Sequence, residues 1–404
     1  MPTLEGYQHF AGRHWETGSV HNHWAYRRFN APHTQQPYSE ALLMGISGGI
    51  VMGYFSFAYE GYDPHVAILT RNTFDPLDTL LTRLGVEQTR MQTTKPAKGV
   101  QNLVECLNEG IPPLVWADQY ILPYNLLPDD TGMWQMAPLI VFGYEPDDDN
   151  VAIADRAAVP LTTTITDFQA ARARVKKDKF KLLTLEMPDA DKLPAAVSAG
   201  IWDCIKLFIE KPPKGSRNNF GLRAYQRWAE LLTKPKTRLS WEKEFPAGGK
   251  MLAGLTSAFN MVAHFGQKGT EWDAERGTYA TFLEEAATIL NKHDLHDVAT
   301  QFRHSGQAWR ILTEMLLPDH IAPFQATRQL MDERHHAFIK QGNAATDELR
   351  QIDAQLAQLQ QTISDDFPLS EQEVVEFRSQ LADQILIIHD LEASAIDMLQ
   401  EVMQ

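Results

Sequence analysis

The sequence predicts an α+β N-terminal part followed by an all-α C-terminal part that ends in a long αα-hairpin. Three observations predict it. Up to about residue 165, short apolar runs bounded by turns alternate with helical segments, and Gly, Pro and aromatic residues are frequent. From Asn219 onward, apolar residues recur at three- and four-residue spacing over long stretches. Near the end, two such stretches are separated only by DDFPLS, Asp365 to Ser370. The chain has 404 residues, more than the roughly 250–300 that one hydrophobic core serves. The expected division is an α+β domain over 1–165, a connecting segment over 166–215, a helical domain over 216–322 and the helical hairpin over 323–404.

Taken in order, a helix begins near Trp15. Leu42 to Phe57, with glycines at 45, 48, 49 and 53, reads as a tight turn leading into a buried strand. No Gly-Lys-Ser/Thr follows, so it is not a phosphate loop. Val66 to Thr70 reads as a strand. Asp75 to Leu84 reads as a helix with an Asp cap, a Pro at its first position and leucines at helical spacing. Val100 to Asn108 reads as another, ended by Gly110 with Pro112 beyond it. Leu114 to Ala117, Leu139 to Tyr144 and Asn150 to Ala154 are short strands, the last two joined by the hairpin signal PDDDN. Thr166 and Asp167 are candidate caps for a helix running to Arg174. The basic run Arg172 to Lys181 reads as a solvated helix face or linker. Lys211 to Gly215 (KPPKG) reads as a linker, because successive prolines cannot continue a helix.

Helices follow over Phe220 to Leu232, Gly249 to Phe265, Ala274 to His293 and Asp297 to Leu317. In the terminal hairpin, Leu349, Ile352, Leu356, Leu359 and Ile363 form one apolar stripe. Val374, Phe377, Leu381, Ile385, Ile388, Leu391, Ile396, Leu399 and Val402 form the other. Ser370 and Glu373 form a capping box at the start of the second helix. These stripes either pack on their own domain or build a homo-oligomer, and pattern alone does not choose.

Bulk numbers exclude several classes. Hydrophobic residues are 44% and charged residues 22% of the chain, a globular balance. The net charge of −15 disfavours nonspecific binding to nucleic acid or to an anionic membrane. No apolar run approaches the roughly 18 residues that span a bilayer. The N-terminus MPTLEGYQHF lacks a basic start and an apolar core, so no signal peptide is expected. Two cysteines, Cys106 on the apolar face of a helix and Cys204 in the similarly apolar stretch IWDCIKLF, point to buried inert thiols in a reducing cytoplasm.

The chemistry-bearing residues crowd the start of the chain: His9, His14, Glu16, His21 and His23. On a helix beginning near Trp15, Glu16 and His23 lie on one side two turns apart, and Thr17 and His21 are i and i+4. Three converging nitrogen or oxygen ligands at a His14/Glu16 cluster can hold zinc or iron, although no HExxH-type spacing is present and no cofactor is otherwise expected. Local hydrogen bonding of these histidines is the plainer reading. Arg334, His335 and His336 read as surface residues of a C-terminal helix.

The segment Gly12 to Ser19 (GRHWETGS) opens a set of scattered motifs. Ser39-Glu40 precedes GISGGI at 45–50 and then Tyr54-Phe55; Asp118 precedes Leu122-Pro123-Tyr124; one strand ends in Gly143-Tyr144 and another in Asp155. Together these resemble the N-terminal domain of butirosin biosynthesis protein H. NFGLRAYQRWAELL and RGTYATFLEEA resemble the uncharacterised helical domain that usually follows it.

The resemblance implies a papain-like fold close to the bacteriocin-processing cysteine peptidases, and acyl transfer from a carrier-protein thioester to an amine in specialised metabolism. That chemistry needs a thiolate, a histidine to activate it and a group to orient the histidine. The chain departs at two of the three. Trp15 stands at the nucleophile position, and an indole forms no thioester. The histidine is due near Ala137 or Pro138, and no histidine occurs between His65 and His264. Only Asp155 matches the orienting residue.

If the implied cleft persists, His14, Glu16 and Asp155 are the candidates for acid–base chemistry. Trp15, Asp118, Tyr120 and Tyr124 would line it, with Trp116 and Trp134 as further aromatics. Asp118 reads more simply as a turn cap, and Ser19 and Thr17 are weak hydroxyl nucleophiles. Three readings follow: a cleft repurposed for a small-molecule or carrier-protein-linked ligand, a pseudoenzyme scaffold acting through its helical half, or an acyltransferase with a hydroxyl nucleophile.

Overall fold

A computed structural model describes residues 2–128, 132–210, 218–264 and 272–404. The KPPKG linker falls outside the described residues. The elements in chain order are α1 (Trp15–Arg27), α2 (Glu40–Ile46), β1 (Ile50–Phe57), β2 (His65–Arg71), α3 (Pro76–Arg83), β3 (Gln88–Met91), α4 (Pro96–Asn108), β4 (Leu114–Asp118), β5 (Met136–Glu145), β6 (Asn150–Ala154), β7 (Leu161–Thr163), α5 (Ile165–Ala173), β8 (Leu182–Leu185) and α6 (Leu193–Ile209). They continue as α7 (Leu222–Thr233), α8 (Trp241–Glu244), α9 (Gly249–Ala263), α10 (Arg276–Leu290), α11 (Leu295–Leu316), α12 (Ala322–Gln341), α13 (Thr346–Asp365) and α14 (Glu371–Met403). The mixed α and β character with a helical C-terminal region is as the sequence predicts.

The chain forms two compact units. Unit 1 comprises Met1–Leu43, Leu80–Leu193 and Arg334–Gln351; unit 2 comprises Met44–Thr79, Pro194–Glu333 and Ile352–Gln404.

Unit 1 is built on a six-stranded antiparallel sheet of order β3-β8-β4-β5-β6-β7. Strands β4 and β5 are the most hydrophobic and sit centrally, so both of their faces are covered: every residue of β4 and Ala137 to Tyr144 of β5 are buried. Helix α1 packs on β5 and β4, and α5 lies on β4 and β6. The PDDDN turn forms the expected β5–β6 hairpin, with Asp149 in the left-handed conformation. Thr164, rather than Thr166 or Asp167, caps α5: its hydroxyl accepts the Asp167 amide.

The stretch read as connecting instead carries α5, β8 and α6. The basic run within it is solvated only in part, at Arg174, Lys176 and Lys177. Arg172 is fully buried between the rings of Phe168 and Phe180, and Lys181 lies over the Trp116 ring at 3.7 Å. Long basic side chains bury apolar stems and stack on rings, which a charge count does not register.

Unit 2 combines the two-stranded β1–β2 hairpin with helices α7, α9, α10, α11 and α14. The segment from Leu42 to Phe57 holds the expected turn at Gly48-Gly49 and the buried strand, but its residues up to Ile46 belong to a short helix the pattern had hidden. The second stripe of the terminal hairpin packs on its own unit: α14 lies against α7 and α11, burying Val374, Phe377, Leu381, Ile385, Ile388, Ile396 and Leu399. The Ser370/Glu373 capping box is present, with both reciprocal hydrogen bonds.

Candidate functional site

The start of α1 is held by a carboxylate from outside the helix. His14, the N-cap residue, offers no side-chain cap. Glu40 replaces it: its two oxygens accept the Arg13 and His14 amides at 2.9 Å, and the Thr17 hydroxyl at 2.9 Å. An anion there also faces the positive end of the helix dipole. The loop before Trp15 is fixed as well. The Gly12 amide donates to Asn22 Oδ1, and a Cβ on Gly12 would meet the Gly18 carbonyl oxygen at 2.3 Å. Gly12 and Ser39-Glu40 are thus structural parts of the motif, shaping the loop that presents residue 15.

Trp15 is the first residue of α1, and its side chain is buried at 9% exposure. One turn later the Ser19 hydroxyl donates to the Pro138 carbonyl at 3.2 Å, which ties the helix to the stretch of β5 where the histidine is due. Ala137 and Pro138 sit there, paired with Ala117 and Trp116 of β4. The departures noted in the sequence therefore fall on neighbouring elements of one unit.

Asp155 lies just past β6 and its carboxylate is 1% exposed. Tyr124 donates its hydroxyl to Oδ2 at 3.2 Å, and Arg156 Nε lies 3.4 Å from Oδ1. Burial, then the charge of Asp155, pushes the Tyr124 phenol far above its ordinary range, so it stays protonated and donating.

The Arg156 guanidinium lies over the Trp15 ring at 4.8 Å from its centroid and over the Phe338 ring at 5.3 Å, and it also donates to Asn125 Oδ1. Phe338 in turn stacks on Tyr124 with centroids 6.5 Å apart. Arg156 therefore joins Trp15 to Asp155 and Phe338, the last two also meeting Tyr124, and the His14 ring lies 6.3 Å from that of Trp15. Arg156 and Phe338 were not singled out from the sequence. Arg156 directly follows Asp155 and was legible as its neighbour; Phe338 is 182 positions away and no local signal pointed to it.

Other expected residues are placed differently. Asp118 is fully buried and acts as a turn cap: its Oδ1 accepts the Tyr120 and Gln135 amides at 3.2 and 2.8 Å, and Arg174 approaches Oδ2 at 3.5 Å. Tyr120 is half-buried beside it. Trp116 carries Lys181 on its ring, and Trp134 is 58% exposed, so neither joins Trp15. Arg334, His335 and His336 are half-buried rather than surface residues; Arg334 Nη2 donates to the Asn125 carbonyl at 3.3 Å.

Glu16 is half-buried on the first turn of α1, but the histidines of that helix serve the backbone. His21 Nδ1 bonds the Tyr38 carbonyl at 2.7 Å. His23, fully buried, bonds the Pro112 carbonyl through Nδ1 at 2.7 Å, with Nε2 beside the Leu185 carbonyl and amide. Burial holds its pKa below the usual value, which keeps the ring neutral. Among the described residues, no group of three or more His, Cys, Asp or Glu side chains gathers in a metal-holding arrangement.

Both cysteine thiols are held protonated. Burial, with Glu109 and Glu105 nearby, raises the Cys106 thiol to about 11; burial raises Cys204, which lies 3.5 Å from the Ile50 carbonyl, to about 12. Both are free and buried, and thiols so shifted carry almost no thiolate near neutral pH. The Thr17 and Ser19 hydroxyls are buried and donate to Glu40 and Pro138.

Unit 1 thus pairs an antiparallel sheet with helix α1, which packs on its two central strands and begins at Trp15. Residues 14–156 match the family of Butirosin biosynthesis protein H, N-terminal, and residues 166–332 match a Domain of unknown function (DUF4872). The chain belongs to the family with that domain arrangement. No curated protein matches it. No helix among the described residues is long and apolar enough to cross a membrane.

Proposed function

We propose that this chain is a silenced member of the butirosin biosynthesis protein H-like family: a pseudoenzyme on a papain-like scaffold, acting through protein recognition in place of acyl transfer. The observation that carries this reading is the Trp15 indole at the first position of α1 with the Arg156 guanidinium 4.8 Å above it. The position that needs a thiolate holds a ring, and the carboxylate that would orient a histidine is taken up by Tyr124 and Arg156.

The alternatives have less behind them. An acid–base role for Asp155 has to work against the Tyr124 hydroxyl and the Arg156 guanidinium that already hold its carboxylate. A hydroxyl nucleophile requires Thr17 or Ser19 to turn away from the acceptor it now serves. The two unpaired buried cysteines support a reducing compartment.

The test is intact-mass spectrometry after incubation with acyl-carrier-protein thioesters. The expected result is an unchanged mass. A covalent acyl adduct on any residue overturns the reading.

A further inference from the structure

Unit 2 contains a cavity of about 190 Å³ where α9, α12 and α13 meet, partly open to solvent. All of its lining residues belong to that unit.

The cavity follows from the side chains on the three helices. At one end α9 and α13 approach closely: a Cβ on Gly249 would run into Ser364 Oγ. One and two turns further along α9, Ala253 and Thr256 line the gap opposite Leu356 and Gln360 of α13, and both are too short to fill it. Thr327 and Met331 of α12 form the third wall. In the apolar stripe of α13, Ile352 and Ile363 are buried, whereas Leu356 is only half-buried. Ala253 and Met331 are half-buried as well. These three side chains turn apolar surface toward the cavity, where a facing side chain would otherwise supply dispersion contacts.

The lining also selects the chemistry of an occupant. Among the described residues, no ionisable side chain lines the cavity. The Thr256 and Thr327 hydroxyls donate within their own helices, to the Leu252 and Pro323 carbonyls, each at 2.9 Å. Gln360 Nε2 donates to Asp63 Oδ2 at 3.0 Å. A charged molecule would give up its hydration here with no counter-charge in return. A neutral apolar one gains by leaving water. An apolar cavity of about 150 Å³ is enough for benzene, so this one takes a six-membered ring with a short substituent. Met331, unbranched and flexible, can adjust to the ring's outline.

We propose that unit 2 binds a neutral, apolar small molecule of toluene's size between α9, α12 and α13. The molecule covers Ala253, Met331 and Leu356 and bridges three helices that are distant in the chain. The site uses no residue near Trp15 and goes beyond the reading above, which neither supports it nor depends on it.

The experiment uses the full chain, isotope-labelled at its methionine methyl groups and titrated with toluene. The Met331 resonance is identified by its loss in Met331→Leu. The expected result is a saturable displacement of that resonance and a raised melting temperature. Benzoate, the same ring carrying a charge, is expected to bind at least tenfold more weakly. So is toluene to Ala253→Leu, whose larger side chain fills the cavity. An unmoved Met331 resonance overturns the proposal, as does benzoate binding as tightly as toluene, or toluene binding to folded Ala253→Leu as it does to the unaltered chain. Should Ala253→Leu not fold, Thr256→Met fills the same space from the next turn and is read by the same outcomes. None of these results bears on the silenced acyl-transfer site, whose own test is the mass of the chain after incubation with thioesters.

Discussion

Each unit contains an arginine against a carboxylate, and the two pairs are built for different ends. In unit 2, Arg276 Nε lies 2.7 Å from Glu392, and both side chains are 0% exposed. Every lone pair of that carboxylate has a donor: Arg276 twice, Tyr225 at 2.6 Å, Ser305 at 2.8 Å and Trp309 at 3.0 Å. Arg276 also donates to the Ala274 and Val51 carbonyls. In unit 1, Asp155 is buried but its partner Arg156 is 24% exposed, 3.4 Å away, and it spends its faces on two aromatic rings. The first arrangement is closed and ties α7, α10, α11 and α14 together. The second keeps one partner near solvent and depends on rings contributed from distant parts of the chain. Full satisfaction marks a structural hub; partial exposure with stacking marks a place where something is held.

Removing the carboxylate of the hub is the largest expected effect. Glu392→Ala leaves the Arg276 charge buried without its counter-ion and three further donors, from Tyr225, Ser305 and Trp309, unmatched. The loss expected is about 3–5 kcal/mol, read by chemical denaturation of the full chain with helix content as the signal. A loss below about 1 kcal/mol would mean that the hub is not the organising contact of unit 2, and the contrast with unit 1 would fail.

The hub also explains which parts of the fold were legible. Tyr225 and Arg276 lie inside the two stretches that carry the family resemblance in the helical part, and both turn out to serve Glu392. Glu392 itself sat on an apolar-striped helix and gave no sign, because a buried acid among leucines looks like a solvated one in a linear pattern. Periodicity found the long helices, whose faces are set by local spacing, and alternation with turn residues found β2, β4, β5 and β6. It missed β8, a four-residue strand buried throughout, and α6, in which only Ser198, Asp203 and Lys206 interrupt a long apolar stretch. At the site, Trp15 and Asp155 were readable from motif register alone. Phe338 was not, because its partners Tyr124 and Arg156 are joined to it only through tertiary packing. Arg172 and Arg334 were misread for one shared reason: Arg172 is buried against the Phe168 ring and the Gly99 carbonyl, half-buried Arg334 is held on the Asn125 carbonyl, and charge alone suggests solvent for both.

The two units should also separate by pH. His23 in unit 1 is held neutral, with a folded pKa depressed by burial below the unfolded value of about 6.5. Its contribution is complete above that value and is lost as pH falls below it, at up to about 1.4 kcal/mol per pH unit. His9, also depressed by burial, acts in the same direction. For Glu392, burial opposes ionisation, but Arg276 and the donors around it win, so its folded pKa lies below the usual carboxylate range. Its contribution persists until pH falls below about 4.3. Between about pH 6.5 and 4.5, unit 1 should weaken while the hub holds. Thermal melting of the unaltered chain and of His23→Gln across this window checks it. The variant should be less stable at pH 7.5 and show a flatter slope below 6.5; parallel slopes would show that His23 is not the titrating group.

The smallest effect is expected where the partner is exposed. Asp155→Asn retains an oxygen to accept the Tyr124 hydroxyl, and Arg156 keeps Asn125 and both rings, so the predicted cost is only about 1 kcal/mol. Because Arg156 reaches solvent, its charge is not stranded when the carboxylate goes, unlike that of Arg276. The same substitution should leave the circular dichroism spectrum unchanged and raise the exchange rate of residues 334–343, since the guanidinium under Phe338 is no longer anchored from below. A cost comparable to that of Glu392→Ala, measured in the same denaturation experiment, would show that Asp155 is a second closed hub. The exposed flank of Arg156 would then have no part in holding Phe338.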